Sequence, residues 1–260
     1  MSVLVWIIIF CFIGGALSVI AASLFLILPE KVRTHLVPHL VSFATGALLG
    51  AAFLALLPHA IEGPHSVDVH NISMTVLFGV LGFFLLEKTV LWRHSHSTEY
   101  EDHMHDQTIL QNRAAGSLIL IGDGLHNFVD GVLIAAAFLT DIHLGVVTSV
   151  AVAAHEIPQE VGDFAVLLQS GFNRRKALVY NLISSLTTIV GGILSYYSLS
   201  NIEGVLPYVL AVAAASFIYI AVADLIPGLH RQLRLAETLQ QVVLIFSGII
   251  IIYIAHSTLH

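Results

Sequence analysis

The sequence predicts an all-α integral membrane protein of eight transmembrane helices, arranged 3+2+3 with both termini outside. Three observations lead there. Hydrophobic residues form 57% of the 260 and charged residues only 10%, at a mean hydropathy of +0.90. So few charges cannot cover the surface of a water-soluble domain of this length. Apolar stretches of about 20 residues or more, long enough to cross a hydrocarbon core, occur at about 3–28, 38–60, 72–92, 115–139, 144–169, 176–198, 205–228 and 238–258. The ten Lys and Arg residues all fall in the odd-numbered connections. No long alternating pattern of the outer-membrane barrel kind is present.

The first stretch has no basic n-region and runs longer than a signal h-region, so it reads as a retained helix entering with its N-terminus outside. Its Cys11 is the one cysteine, which rules out an intramolecular disulfide and a thiolate metal cluster and leaves a packing role. The second stretch ends Leu56-Leu57-Pro58-His59 and the seventh Leu225-Ile226-Pro227-Gly228. Each is the middle member of a triplet, 1–3 and 6–8, and the two intervening helices give the triplets opposite orientation. Inverted repeats of this kind place a transport site at their interface near the midplane, where helices four and five would lie.

The basic residues are Lys31, Arg33, Lys88, Arg93, Arg113, Arg174, Arg175, Lys176, Arg231 and Arg234, while the connections 62–71, 141–143 and 199–203 hold none. By the positive-inside rule the odd connections are cytoplasmic. Residues 1–260 then form a single eight-span domain whose longest connection, about 93–114, is expected to be a disordered His-rich cytoplasmic loop. Its His94, His96, His103 and His105 either bind a borderline metal weakly or are incidental. The net charge of −7 arises partly from intramembrane acids, and no basic patch suggests nucleic acid as a partner.

The chemistry sits on helices four and five. Asp123, His126, Asn127 and Asp130 follow the i, i+3, i+4, i+7 spacing and form one polar stripe; His155, Glu156, Gln159, Glu160 and Asp163 form a second. Ionisable groups at membrane depth cost a few kcal/mol or more each and mark ion paths or sites. No Lys or Arg lies deep enough to pair with these acids, and facing carboxylates repel in low dielectric. A bound dication removes that penalty. Imidazole nitrogen, carboxylate and the carbonyls of Asn127 and Gln159 suit Zn²⁺, Fe²⁺, Mn²⁺ or Co²⁺. Cu⁺ would lack thiolate and thioether ligands, and Ca²⁺ or Mg²⁺ would leave two histidines unexplained. Pro158 frees the Ala154 carbonyl and bends the helix, either lining a cation path or serving packing. Asp123, Asp163 and Asp224 are candidate pathway groups; Glu87 beside Lys88 reads as an interfacial anchor.

At these residues the chain resembles the ZIP (Zrt/Irt-like) family of metal transporters. His126-Asn127-x-x-Asp130-Gly131 matches its helix-four string, and His155-Glu156-x-Pro158-Gln159-Glu160-x-Gly162-Asp163 is similar to the HExPHExGD signature of one large animal and plant subfamily. The likeness extends to eight helices, a His-rich third loop and a Tyr219…Asp224…Pro227 pattern. It implies a transporter, not an enzyme, carrying divalent ions, with Zn²⁺ taken up toward the cytosol and Fe²⁺, Mn²⁺, Co²⁺ or Cd²⁺ as other substrates. It also implies a binuclear centre: His126, Asp130 and Gln159 in one site, Asn127, Glu156 and Gln159 in the other. The motion implied is an elevator of helices 1, 4, 5 and 6 against 2, 3, 7 and 8.

Two positions depart from relatives. Gln159 stands where His or Glu is usual, so Glu160 is a compensating candidate. Some relatives carry a glutamate in helix six where Thr188 is the nearest position here, which leaves the second implied site short of charge. The expected setting is a multi-pass protein of the cell membrane (the inner membrane in a bacterium) or of an intracellular membrane in a eukaryote, its partners lipid and metal ions, with a homodimer left open. Two other classes compete. An intramembrane metalloprotease would need HExxH, but Gln159 replaces the second histidine and Pro158 interrupts the helix. A cation-diffusion exporter also uses intramembrane His-x-x-x-Asp pairs, yet usually has six spans and a soluble C-terminal domain.

Overall fold

The computed structural model describes residues 1–62, 67–98, 107–200, 202–230 and 234–259, with side chains for all of these except 90–98, 107–118, 203 and 259. Eight long helices follow one another among the described residues: α1 (Val3–Phe25), α2 (Glu30–Glu62), α3 (Val69–Thr98), α4 (Gln107–Thr140), α5 (Ile142–Gln169), α6 (Arg174–Leu199), α7 (Leu206–Leu229) and α8 (Leu235–Leu259). These residues contain no strand. Seven helices are apolar enough over a long enough stretch to cross a membrane; α5, interrupted by His155, Glu156, Gln159, Glu160 and Asp163, is not among them. At 28 residues it is about 42 Å long and packs inside the bundle against α4, α2 and α1.

Of the segment 93–114, residues through Thr98 continue α3 and those from Gln107 begin α4. The apolar spans themselves stop at Thr89 and start at Ile119, so these helices outrun their hydrophobic stretches. The side chains of His94 and His96, and all of His103 and His105, lie outside the described residues.

Local chemistry sets the hairpins around the site. Asp141 alone separates α4 from α5, its carboxylate accepting from the backbone N–H of His143 at 2.8 Å and Leu144 at 3.0 Å, an N-cap that satisfies two of the helix's orphan donors. Gly171 ends α5 in the left-handed region (φ +84), and Phe172 N–H closes back onto Leu167 O at 3.1 Å, the Schellman arrangement a glycine permits. Asn173 then caps α6 through Lys176 N–H at 2.9 Å.

Three helices widen locally to π turns, at Ile13–Leu17, Ala52–Leu56 and Ile220–Leu225. The last two stand just before Pro58 and Pro227, where the ring would otherwise collide with the carbonyl four residues earlier, and a wider turn relieves that collision. Pro158 behaves differently: α5 continues as α-helix through it without interruption.

Helices α2 and α8 pack along one another, as do α3 and α7, α4 and α6, and α1 and α5. Small residues let the backbones approach, as expected where lipid provides no hydrophobic drive between helices. A Cβ at Gly131 would strike the Thr188 carbonyl, and one at Gly191 the Phe128 carbonyl. On the bundle exterior, Leu77, Phe78, Leu81 and Leu85 of α3 and Leu239, Val243, Phe246 and Ile250 of α8 are exposed, the apolar surface a bilayer would cover.

Candidate metal centre

Halfway along α4 and α5, four side chains converge: His126, Asp130, His155 and Glu156 offer one donor atom each, all within 4.8 Å of one another. His126 Nε2 lies 3.3 Å from His155 Nε2, 3.4 Å from Glu156 Oε1 and 3.8 Å from Asp130 Oδ2. His155 Nε2 lies 3.2 Å from Asp130 Oδ2 and 3.6 Å from Glu156 Oε1. A tetrahedral ion with bonds of about 2.0–2.1 Å spaces its ligand atoms roughly 3.3–3.4 Å apart. The observed separations straddle that value, so a zinc-sized ion fits among these donors with small side-chain adjustments.

The electrostatics explain why something positive belongs there. His155 Nδ1 stands 3.1 Å from Ala151 O; donating its N–H to that carbonyl fixes the tautomer with a lone pair on Nε2. That lone pair then faces a carboxylate oxygen. Asp130, His155 and Glu156 are buried, and both carboxylate oxygens of Asp130 and of Glu156 accept no hydrogen bond. Buried acceptors of this kind carry a heavy desolvation cost unless a cation sits among them.

His126 is the exposed edge of the cluster, its side chain 25% accessible, and it lines a cavity of about 470 Å³ together with Gln159, Asp123, Asp163, Glu87, Tyr219 and Asp224. These residues come from the halves of α3, α4, α5 and α7 nearest the 3–4, 5–6 and 7–8 connections. On the opposite side of the cluster a continuous apolar core fills the bundle, including Leu48, Leu133, Val147, Ala151, Leu210 and Phe217, with the Phe217 ring 6.1 Å from His155. The site is open toward one face and sealed toward the other.

The remaining sequence candidates lie around the cluster, not in it. Asn127 donates to Asp123 Oδ1 at 2.9 Å and accepts from Thr188 Oγ1 at 2.8 Å, so its amide is engaged with α4 and α6. Gln159 faces the cavity. Glu160 turns to α6, where the Asn181 amide donates to it. Of the second ligand set implied by resemblance, Glu156 alone belongs to the cluster. Glu87, read from sequence as an anchor, instead accepts from the Tyr219 hydroxyl inside the cavity; the α3–α7 packing that brings them together has no local sequence signature. Of the α6 stripe of Asn181, Ser184, Ser185 and Thr188, Thr188 alone is singled out from sequence, although the i, i+3, i+4, i+7 spacing in an apolar span is a readable signal.

Comparison with known proteins completes this picture. The family model for ZIP zinc transporters matches residues 92–256. The chain is 31% identical over 263 residues to zinc transporter ZIP13 of Pongo abelii, covering 93% of this chain and 76% of that protein. It is 30% identical over 300 residues to zinc transporter zipt-7.2 of Caenorhabditis elegans, covering 93% and 64% respectively. To zinc transporter ZIP10 of Homo sapiens it is 36% identical over 171 residues, 64% of this chain but 21% of that much longer protein. A helical membrane bundle with these matches has one reading: the chain belongs to the ZIP zinc transporter family, a family of transporters and not of enzymes.

Proposed function

We propose that the chain carries divalent metal ions, zinc foremost, across the membrane toward the cytosol by alternating access at His126, Asp130, His155 and Glu156. One observation carries this reading: four electron-pair donors from two antiparallel helices, spaced as the edges of a tetrahedron, at the blind end of an acid-lined cavity. The matched relatives are named zinc transporters, which supports zinc as cargo. Fe²⁺, Mn²⁺, Co²⁺ and Cd²⁺ accept the same mixed donors with different affinity.

Counting α5 as the eighth span puts every Lys and Arg on one side of the membrane and both termini on the other. The basic side is then cytoplasmic, and the cavity opens toward the cytosol: an inward-facing state. Glu87, Asp123, Asp163 and Asp224 line the way out, where the ion would regain water stepwise. The setting proposed is a multi-pass protein of the cell membrane.

The helix pairings support an inverted repeat of α1–α3 and α6–α8. A twofold exchanging α2 with α7, α3 with α8, α1 with α6 and α4 with α5 turns the α3–α7 pair into α8–α2 and the α4–α6 pair into α5–α1. All four pairs are present, and α2 and α7 share a π turn followed by proline.

Glycine contacts support two rigid groups. Gly15 meets Ser185 and Thr188, Gly124 meets Ser184, Gly131 meets Thr188 and Gly192, and Gly192 meets Cys11, all within α1, α4, α5 and α6. Gly46, Gly50 and Gly248 join α2 to α8, and Gly79 meets Ala215 of α7. Each of these approaches stays inside one of the two groups an elevator motion would slide past each other.

The test is zinc uptake into proteoliposomes of defined orientation. His155→Ala and Glu156→Ala are each expected to reduce uptake by more than the roughly 10–100-fold that outer-sphere substitutions at metal sites commonly cost, with normal membrane insertion. Wild-type uptake in both variants would overturn the site, and efflux in place of uptake would reverse the direction.

A further inference from the structure

Apart from the four-donor cluster, three buried side-chain oxygens among the described residues have no hydrogen-bond partner, Thr148 Oγ1, Glu160 Oε1 and Asn181 Oδ1, and the last two belong to side chains in contact with each other. Glu160 on α5 and Asn181 on α6 are 0% and 1% exposed. The Asn181 amide nitrogen donates to Glu160 Oε2, while Glu160 Oε1 and Asn181 Oδ1 are buried without a hydrogen-bond partner. Turning the amide over does not solve this for an ionised Glu160: the carbonyl oxygen would then face a carboxylate oxygen, acceptor against acceptor. Two orphaned acceptors on two side chains in contact, one of them on a carboxylate, carry a desolvation cost that a cation bound by both would remove.

The surroundings add oxygen donors. One turn on from Asn181, Ser184 donates to Asp123 Oδ2 at 2.5 Å, which brings a second carboxylate, from α4, to the same stretch of α6. The basic residues of α6, Arg174, Arg175 and Lys176, stand at its first turn, about two turns before Asn181, which leaves this group without a countercharge in the span.

We propose that Glu160 and Asn181, with Asp123 and Ser184 beside them, form a second cation site made only of oxygen donors, which takes a hard divalent cation. Carboxylate, amide carbonyl and hydroxyl are the ligands that Mg²⁺, Ca²⁺ and Mn²⁺ prefer, and the absence of imidazole from the set separates it chemically from the cluster of His126 and His155. Asp123 also lines the large cavity, but Glu160 and Asn181 do not, so an ion held by these two sits behind the cargo path as a fixture that ties α5 to α6.

The experiment uses Mn²⁺ as the probe, read by its solution electron paramagnetic resonance signal, on the full chain in lipid nanodiscs with His126→Ala and His155→Ala in place. That background disables the imidazole cluster, so the result is independent of where zinc is carried. It is expected to bind one Mn²⁺ per chain and to melt at a higher temperature with Mn²⁺ than without. Adding Glu160→Gln is expected to weaken Mn²⁺ binding at least about 10-fold. Should that variant not melt cooperatively, Asn181→Leu keeps the carboxylate and is expected to weaken binding severalfold. No Mn²⁺ bound by the background, or unchanged affinity in the folded variant, would overturn the proposal.

Discussion

His126 and His155 present their Nε2 atoms to each other across 3.3 Å, one at the edge of the cavity and one in the sealed interior. Two ring nitrogens at that distance on adjacent antiparallel helices share either a proton or a metal. The Ala151 carbonyl holds the His155 tautomer whose Nε2 carries a lone pair, and Asp130 and Glu156 supply negative charge on both sides. With His126 at the open edge and His155 at depth, an ion held as proposed would meet His126 first and His155 last.

Neutralising a single carboxylate tests that division. Asp130→Asn keeps the volume and one carbonyl oxygen but removes the charge that faces His155 at 3.2 Å. Zinc affinity of the purified protein, measured by competition with a fluorescent chelator, is expected to fall by at least about 10–100-fold, while the apo protein melts at or above the wild-type temperature because an unpartnered buried acid has gone. Unchanged affinity would remove Asp130 from the ligand set.

Metal removal gives a second readout that needs no transport. A ligand bound to the native state alone stabilises it by about 2.7 kcal/mol at 100 times its dissociation constant. Stripping zinc with TPEN, a chelator that leaves Mg²⁺ and Ca²⁺ bound, is therefore expected to lower the melting temperature of the wild type in detergent and to leave that of a Glu156→Gln, His155→Ala double variant unmoved. An equal TPEN response in both would place the stabilising zinc elsewhere.

Part of this site was legible in the chain and part was not, for physical reasons that differ by residue. The facing stripes were legible because an α-helix puts residues four apart on one side, so His126 with Asp130 had to share a face. Which members of a stripe meet the opposite helix depends on how the pair is rotated, and that is a tertiary quantity. Asn127 is drawn to Thr188 because α6 packs tightly on α4, an arrangement set by Gly131 and Gly191, whose role shows only once their neighbours are known, and Glu160 is drawn to Asn181 where α5 meets the first half of α6. Apolar stretches located seven spans, with α5 set apart by its polar stripe, but not the helix ends, since α3 and α4 stay helical beyond their hydrophobic lengths. Pro58 and Pro227 announced irregular helix, whereas the π turn at Ile13–Leu17 has no proline near it.

Helix-to-helix contact through glycine predicts a sharp contrast between two substitutions. Gly131→Ala would press a Cβ into the Thr188 backbone carbonyl, and overpacking against backbone costs about 1–3 kcal/mol or more. Gly162→Ala, on α5 with nothing within 4 Å of its Cβ position, is expected to be neutral or to stabilise by up to about 1 kcal/mol through helix propensity. Thermal melts of the two variants in the same detergent decide this. Equal melting temperatures would deny that α4 and α6 touch at Gly131.

The Asp141 cap separates hairpin stability from metal chemistry. Asp141→Ala removes the acceptor for His143 and Leu144 N–H and is expected to destabilise the protein by about 0.5–2 kcal/mol. Zinc affinity should stay at the wild-type value, because the cap lies more than three helical turns from His155 along α5. A loss of affinity without a change in melting temperature would tie the connection to the site directly.

The inward-open reading is tested at Gln159, which lines the cavity beside His126. The native cysteine, Cys11, is buried, so Gln159→Cys adds one accessible thiol to a quiet background. A membrane-impermeant cationic thiol reagent is expected to label it from the side of the 3–4 and 5–6 connections and not from the other, because Phe217, Leu48 and their neighbours fill the opposite path. Zinc should slow labelling, since an ion held by His126 repels a cationic reagent and blocks the cavity's inner end. Equal labelling from both faces would mean that the apolar core does not seal the site, and labelling from the opposite face alone would invert the topology.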